Sequence, residues 1–257
     1  MNRIVALFNR QPADNLNVYF TAGFPTLHDT RLVLRALQEA GADLVEIGMP
    51  YSDPVADGET IQLSNQQALE SGMSVKLLLE QLRDMRSEIT LPVLLMGYIN
   101  PVLQFGIENF CRACQAAGVD GLILPDMPFE VYVDEYKAIF DQYSLLNIFL
   151  ITPQTSETRI RQIDERSNGF IYMVSSASVT GSQTGITSEM EAYFARINAM
   201  NLRNPRLIGF GIKDKFTFDQ ACRHGNGAII GSAFIRVLQN SLDLKTDIAA
   251  YIKSVKN

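Results

Sequence analysis

Short runs of β-branched and aliphatic residues alternate along the chain with longer stretches whose apolar positions recur every three to four residues. A continuous apolar run or a two-residue period marks a strand, and the longer period marks a helix. Strands are therefore predicted at Asn17–Ala22, Asp43–Gly48, Pro92–Met96, Gly118–Leu124, Leu146–Ile151, Gly169–Val174, Arg206–Phe210 and Gly227–Ile230. Helices are predicted between them, among others at Asp29–Ala40, Val75–Glu88, Val131–Tyr143, Glu157–Arg166 and Ser188–Met200. Several strands are apolar throughout, as parallel strands covered on both faces are. The stretches AGADLVEI and AGVDGLIL repeat one device, a helix ended by glycine and followed at once by a strand. Such units build a parallel sheet. No G-x-G-x-x-G follows the first strand, which weakens an open dinucleotide-binding sheet. Closure into a (β/α)₈ TIM barrel is favoured, an α/β fold for which about 250 residues is an ordinary length. No linker or charge block divides the chain, so a single domain over residues 1–257 is expected.

Composition narrows the function. With 47% hydrophobic and 19% charged residues, the chain has ample material for a core. A net charge of −6 argues against a nucleic-acid surface. It does not argue against an anionic substrate, because backbone N–H groups can hold a phosphate locally. No apolar run is long enough for a bilayer, and the opening stretch MNRIVALFNRQPADN lacks a small-residue cleavage site. A soluble, cytoplasmic protein with no membrane or nucleic-acid partner is expected. Cys111 and Cys114 form a C-x-x-C, a spacing used for zinc or redox chemistry, but no second ligand pair accompanies it and Cys222 stands alone. Buried or half-buried thiols are the expected state. His28 and His224 stand near helix ends, on the surface, and no metal site is expected.

In a barrel of this kind the loops after the strand C-termini carry the chemistry. After the second strand the chain reads LVEIGMPYSDPVADG, from Leu44 to Gly58. Glu46 lies within the strand, between Val45 and Ile47. Unless it sits on a frayed, exposed strand end, an acid among such neighbours is paired or functional. Burial raises a carboxyl pKa towards neutrality, which makes the group usable as both acid and base. Asp53 and Asp57 follow in a Pro-rich loop, where aspartates alone are turn formers. The glycine turns at Gly211 and at Gly231-Ser232 are either plain connections or the places where barrel enzymes hold phosphate. A Schiff-base aldolase needs a strand lysine. Lys76, Lys137, Lys213, Lys215, Lys245, Lys253 and Lys256 all avoid the predicted strands, so carboxylates must move the protons.

The run E-I-G-x-P-Y-S-D-P-V-A-D-G resembles the signature stretch of tryptophan synthase α subunits. The similarity continues through YFTAGFPT (Tyr19–Thr26), LLMGYINPV (Leu94–Val102), LPDMPFE (Leu124–Glu130), SVTG (Ser178–Gly181), GFGIKD (Gly209–Asp214) and GSAF (Gly231–Phe234). The resemblance implies that Glu46 and Asp57 are catalytic, that Tyr172 is an active-site tyrosine, and that Thr180 orders the aspartate on loop closure. It also implies an indole pocket lined by Phe20, Tyr98 and Phe210, and phosphate contacts at Gly181, Gly211, Gly231 and Ser232. Ser178 and Ser176 depart from the glycine and arginine that many members carry there. The implied reaction is the retro-aldol cleavage of indole-3-glycerol phosphate to indole and glyceraldehyde 3-phosphate, with no cofactor in this chain. The implied partner is a pyridoxal-phosphate-dependent β subunit in an α-β-β-α tetramer, with Asp53 at the interface. Pro50 and Pro54 beside it either shape that interface or only stiffen the loop. Two other readings stay open: a stand-alone lyase that releases free indole, and a non-catalytic phosphate-binding barrel that activates a partner.

Overall fold

Eight strands alternate with helices, and a computed structural model describes the chain over residues 1–54, 57–174, 187–209 and 211–257. The strands are β1 (Asn15–Thr21), β2 (Leu44–Gly48), β3 (Val93–Met96), β4 (Gly121–Ile123), β5 (Leu146–Ile151), β6 (Ile171–Val174), β7 (Arg206–Gly209) and β8 (Gly227–Ile230). They pair in chain order, all parallel, and β8 pairs back onto β1 to close the barrel. The (β/α)₈ fold expected from the alternation is the fold observed. The fourth strand is shorter than its apolar run. Gly118, at φ 85°, ends the helix Ile107–Ala117 in a left-handed turn, and the ladder begins only at Gly121.

Alternation along the strands sorts two layers. Val18, Val45, Ile47, Val93 and Leu95 belong to the apolar layer between barrel and helices. Leu44, Leu94, Ile123, Ile148, Phe170, Leu207 and Ile229, one from nearly every strand, meet in a separate cluster inside the barrel. The helix Arg3–Arg10, which the apolar pattern did not predict, closes that cluster from below. Ile4, Leu7 and Phe8 recur at helical spacing and pack into it, Phe8 against Phe170 with ring centroids 5.9 Å apart. Asn2 caps this helix by accepting a bond from the Ile4 N–H at 2.9 Å. Asp120, buried just before β4, ties the plug to the barrel. It takes Arg3 at 3.0 Å, Arg86 at 2.6 Å and the Val93 N–H at 2.9 Å.

Two predicted helices are interrupted. Val75–Glu88 divides into a helix Val75–Gln81 and a 3₁₀ turn Met85–Ser87, because Asp84 turns left-handed at φ 56°. That break lets Arg86 reach the Gly118 carbonyl at 2.8 Å as well as Asp120. Val131–Tyr143 contains a wide π turn at Tyr132–Tyr136, where the Tyr132 ring packs edge-on against Phe140 and Phe149. Cys111 and Cys114 are buried and Cys222 is half-buried, and burial pushes the Cys111 thiol up to about 12. His28 is exposed as expected, but His224 is half-buried with its ring 5.1 Å from that of Phe194. Among the described residues no helix is long and apolar enough to cross a membrane.

Candidate active site

Glu46 occupies the middle of β2, in register with Tyr19 of β1 and Leu94 of β3. Its neighbours Val45 and Ile47 turn outwards, so Glu46 faces the barrel interior, and it is fully buried. Asn17 Nδ2 donates a hydrogen bond to its Oε1. Oε2 has no hydrogen-bond partner among the described residues. Burial pushes the Glu46 carboxyl up to about 8, against the opposing pull of the Asn17 bond. At neutral pH this group holds its proton and can give it away.

Asp57 lies just before the helix Glu59–Glu70, where its carbonyl accepts a bond from Gln62 Nε2 at 2.6 Å. Tyr98 Oη donates to Asp57 Oδ2 at 3.3 Å. Burial raises the Asp57 pKa and the tyrosine hydroxyl lowers it. Tyr98 is placed by β3 and opens the helix Ile99–Phe105, with its ring 5.1 Å from that of Tyr51. The two carboxyl groups therefore differ in kind. Glu46 is fully buried in the barrel with one oxygen unpartnered among the described residues, whereas Asp57 sits at the rim with a hydroxyl donor.

Two tyrosines complete the mouth. Tyr19 lies across Gly48 and Tyr172 lies across Gly209, and any Cβ at either glycine would collide with the phenol above it. Burial, then the charge of Glu46, Tyr19 and Asp57, keeps the Tyr172 hydroxyl well above its ordinary range. Burial and the nearby Asp57 and Glu46 do the same to Tyr19. Both phenols stay neutral, polar contacts that carry no charge of their own.

Phe20 does not line this mouth. It is buried in the layer between barrel and helices, because residues adjacent along a strand point to opposite faces, and Tyr19 takes the inward position. Gly211 is left-handed at φ 49° with open space where a side chain would project. Gly231 caps the helix Ser232–Asn240, and a Cβ on it would lie 3.8 Å from Ile61 and 3.9 Å from Tyr19, so this turn borders the mouth. Asp53 is exposed and accepts a bond from Ser52 Oγ. Thr180, Gly181 and Phe210, with Ser176 and Ser178, lie outside the described residues. Asn17 and Tyr19 were not singled out from the sequence. The two-residue period that makes Tyr19 the partner of Glu46 was the available signal.

A sequence model of the family described as "Tryptophan synthase alpha chain" matches residues 6–257. The chain belongs to the tryptophan synthase alpha chain family. It is 55% identical over 241 residues to the tryptophan synthase alpha chain of Flavobacterium johnsoniae, covering 94% of this chain and 95% of that one. It is 52% identical over 243 residues to that of Bacteroides thetaiotaomicron, covering 95% of each. The crystal structure of tryptophan synthase subunit alpha from Legionella pneumophila superposes with a TM-score of 0.90 at 32% identity, over 100% of this chain and 97% of that one. An aminoacrylate-bound tryptophan synthase from M. tuberculosis gives 0.87 at 27% identity, over 100% and 98%. Membership makes this chain a lyase with the alpha-subunit role in tryptophan biosynthesis.

Proposed function

We propose that Glu46 and Asp57 carry the cleavage of indole-3-glycerol phosphate to indole and glyceraldehyde 3-phosphate. Breaking the bond between indole C3 and the glycerol side chain requires the indole to leave as a neutral ring. Glu46 gives its proton to C3, which places positive charge on the ring nitrogen. Asp57, ionised, accepts the indole N–H and stabilises that charge. The C3–C1′ bonding pair then returns to the ring, the C1′ hydroxyl becomes an aldehyde, and the hydroxyl proton goes to the Glu46 carboxylate. One proton enters the ring and one leaves the glycerol, so the acid is regenerated. The observation that carries the reading is the fully buried carboxyl of Glu46, one oxygen of which has no partner among the described residues, with its pKa raised to about 8. A pair of carboxyl groups in unlike environments can divide acid and charge-stabilising roles in this way.

Tyr19, Tyr98 and Tyr172 flank the indole, and Phe210 joins them by resemblance. Gly211, Gly231 and Ser232, with Gly181, hold the phosphate through backbone N–H groups, which orients the scissile bond. Thr180 steadies Asp57 when the sixth loop closes. Asp53, exposed on the rim, faces a pyridoxal-phosphate-dependent β subunit in a cytoplasmic α-β-β-α tetramer. This chain acts as one domain and needs no cofactor of its own. The test is indole release by purified protein. Glu46→Gln and Asp57→Asn each lower it by at least about 10²-fold in folded protein, and added β subunit raises the wild-type rate, less so in Asp53→Ala. Undiminished turnover by Glu46→Gln overturns the acid assignment. Fast basal turnover that β subunit leaves unchanged favours the stand-alone lyase.

A further inference from the structure

The amide of Asn17 is out of place energetically. It lies on β1 in register with Leu44, at the level where the other strands fill the barrel with aliphatic side chains, and it is fully buried. A buried amide that is not fully bonded costs a few kcal/mol relative to an apolar side chain of the same shape. Asn15, two residues earlier, shows the structural use of such a group, since its Nδ2 clips three backbone carbonyls, of Gln11, Ala13 and Asn226. Asn17 makes no such clip. Its Nδ2 goes to Glu46 Oε1 and its Oδ1 has no partner among the described residues.

We propose that Asn17 is a positioning residue for the cleavage, holding Oε1 of Glu46 so that Oε2 is the oxygen that gives and takes the proton. This rests on the assignment of Glu46 as the acid. An amide offers one donor and one acceptor side. Asn17 therefore donates through Nδ2 to the carboxylate and, turned by half a revolution, accepts through Oδ1 from the carboxylic acid. It can serve both protonation states without leaving β1. Its bond to the carboxylate also opposes the upward push of burial on Glu46, and so sets where the alkaline limb of the reaction begins. The other ionisable groups around Glu46 are Tyr19 from β1, Tyr172 from β6, Asp57 from the loop after β2, and Tyr98 after β3, which bonds Asp57.

The experiment is a pH series of kcat and KM for the wild type, Asn17→Leu, Glu46→Gln and the double variant, with a ¹³C NMR titration of the Glu46 carboxyl. Leucine matches asparagine in shape and cannot hydrogen-bond. In Asn17→Leu, kcat falls about tenfold, the loss expected of one bond to an ionisable group, while KM stays within about twofold. The alkaline limb of the profile and the NMR midpoint both move up by about one pH unit, the equivalent of that tenfold. In the Glu46→Gln background the same change adds no further loss, because Asn17 acts through Glu46. Should Asn17→Leu fail to fold, Asn17→Ser, too short to reach Glu46, carries the same expectations. Full activity in Glu46→Gln overturns the acid assignment and this inference with it. An inactive Glu46→Gln beside an unmoved pH limb in the Asn17 variant, or an additive loss in the double variant, overturns this inference alone.

Discussion

Asp120 and Glu46 are both shut away from solvent, at 3% and 0% exposure, yet the two ends of the barrel treat them oppositely. At the closed end, Asp120 has Arg86 and the Val93 N–H on one oxygen and Arg3 on the other. At the open end, Glu46 has one amide on one oxygen and, among the described residues, no partner on the other. A buried carboxyl is costly unless it is paired and bonded. The first acid is matched by two guanidinium groups and serves the fold, joining the helix Arg3–Arg10 to the strands. The second avoids the cost by keeping its proton, and that retained proton is what the chemistry uses. A buried carboxyl thus marks structure where it is matched and reactivity where it is not.

The largest expected effect is the pH dependence that the retained proton of Glu46 gives to stability. Glu46 holds its proton up to about pH 8 in the folded chain, against 4.5 for the ordinary group. Below pH 4.5 both folded and unfolded chains are protonated there and no penalty exists. Between 4.5 and about 8 the unfolded chain releases the proton while the folded chain keeps it, so stability falls as pH rises, then levels off. At about 1.4 kcal/mol per pH unit, the wild type loses several kcal/mol across that window relative to Glu46→Gln. Urea melts of both proteins from pH 5 to 8 measure the difference, and parallel curves would contradict the buried, proton-holding state.

Removing the matched acid has the opposite signature. Asp120→Ala strands Arg86 and lowers unfolding free energy by about 3 kcal/mol, while turnover per folded molecule at the distant mouth stays at the wild-type level. A Glu46-like loss of turnover without loss of stability would erase the contrast between the two ends. The smallest effect belongs to the rim. Tyr98→Phe deletes one hydroxyl bond to Asp57, worth about 1 kcal/mol, so indole release falls by less than tenfold. Because that bond lowers the Asp57 pKa, the deficit widens as pH falls, and a deficit independent of pH would assign Tyr98 to packing alone.

Much of this was legible from local pattern. The strand–helix alternation, the glycine stops and the missing dinucleotide motif led to the barrel. An acid between Val45 and Ile47, followed by a Pro-rich loop with Asp57, led to the mouth of β2. The misses share one cause. Phe20 and Tyr19 are both apolar enough for a strand covered on two faces, so the pattern alone could not say which one points to the axis. The helix Arg3–Arg10 carries its signal in Ile4, Leu7 and Phe8, but its short apolar stripe made sense only once there was a barrel floor to fill. The break at Asp84 became readable only through Arg86 and its reach to Asp120.

By itself the sequence determined periodicity, and with it the number and order of the strands, the place of Glu46 within the second strand and the turns that could take a phosphate. Those features depend on neighbours a few residues apart, where steric preference and apolar spacing act. Tertiary structure alone decided which groups meet. Asn17 reaches Glu46 across the β1–β2 register, Tyr98 reaches Asp57 over 41 positions, and Arg3 reaches Asp120 over 117. These pairings exist because closing the barrel brings distant segments to one axis, and the energy of a buried polar group depends on which partner that closure supplies.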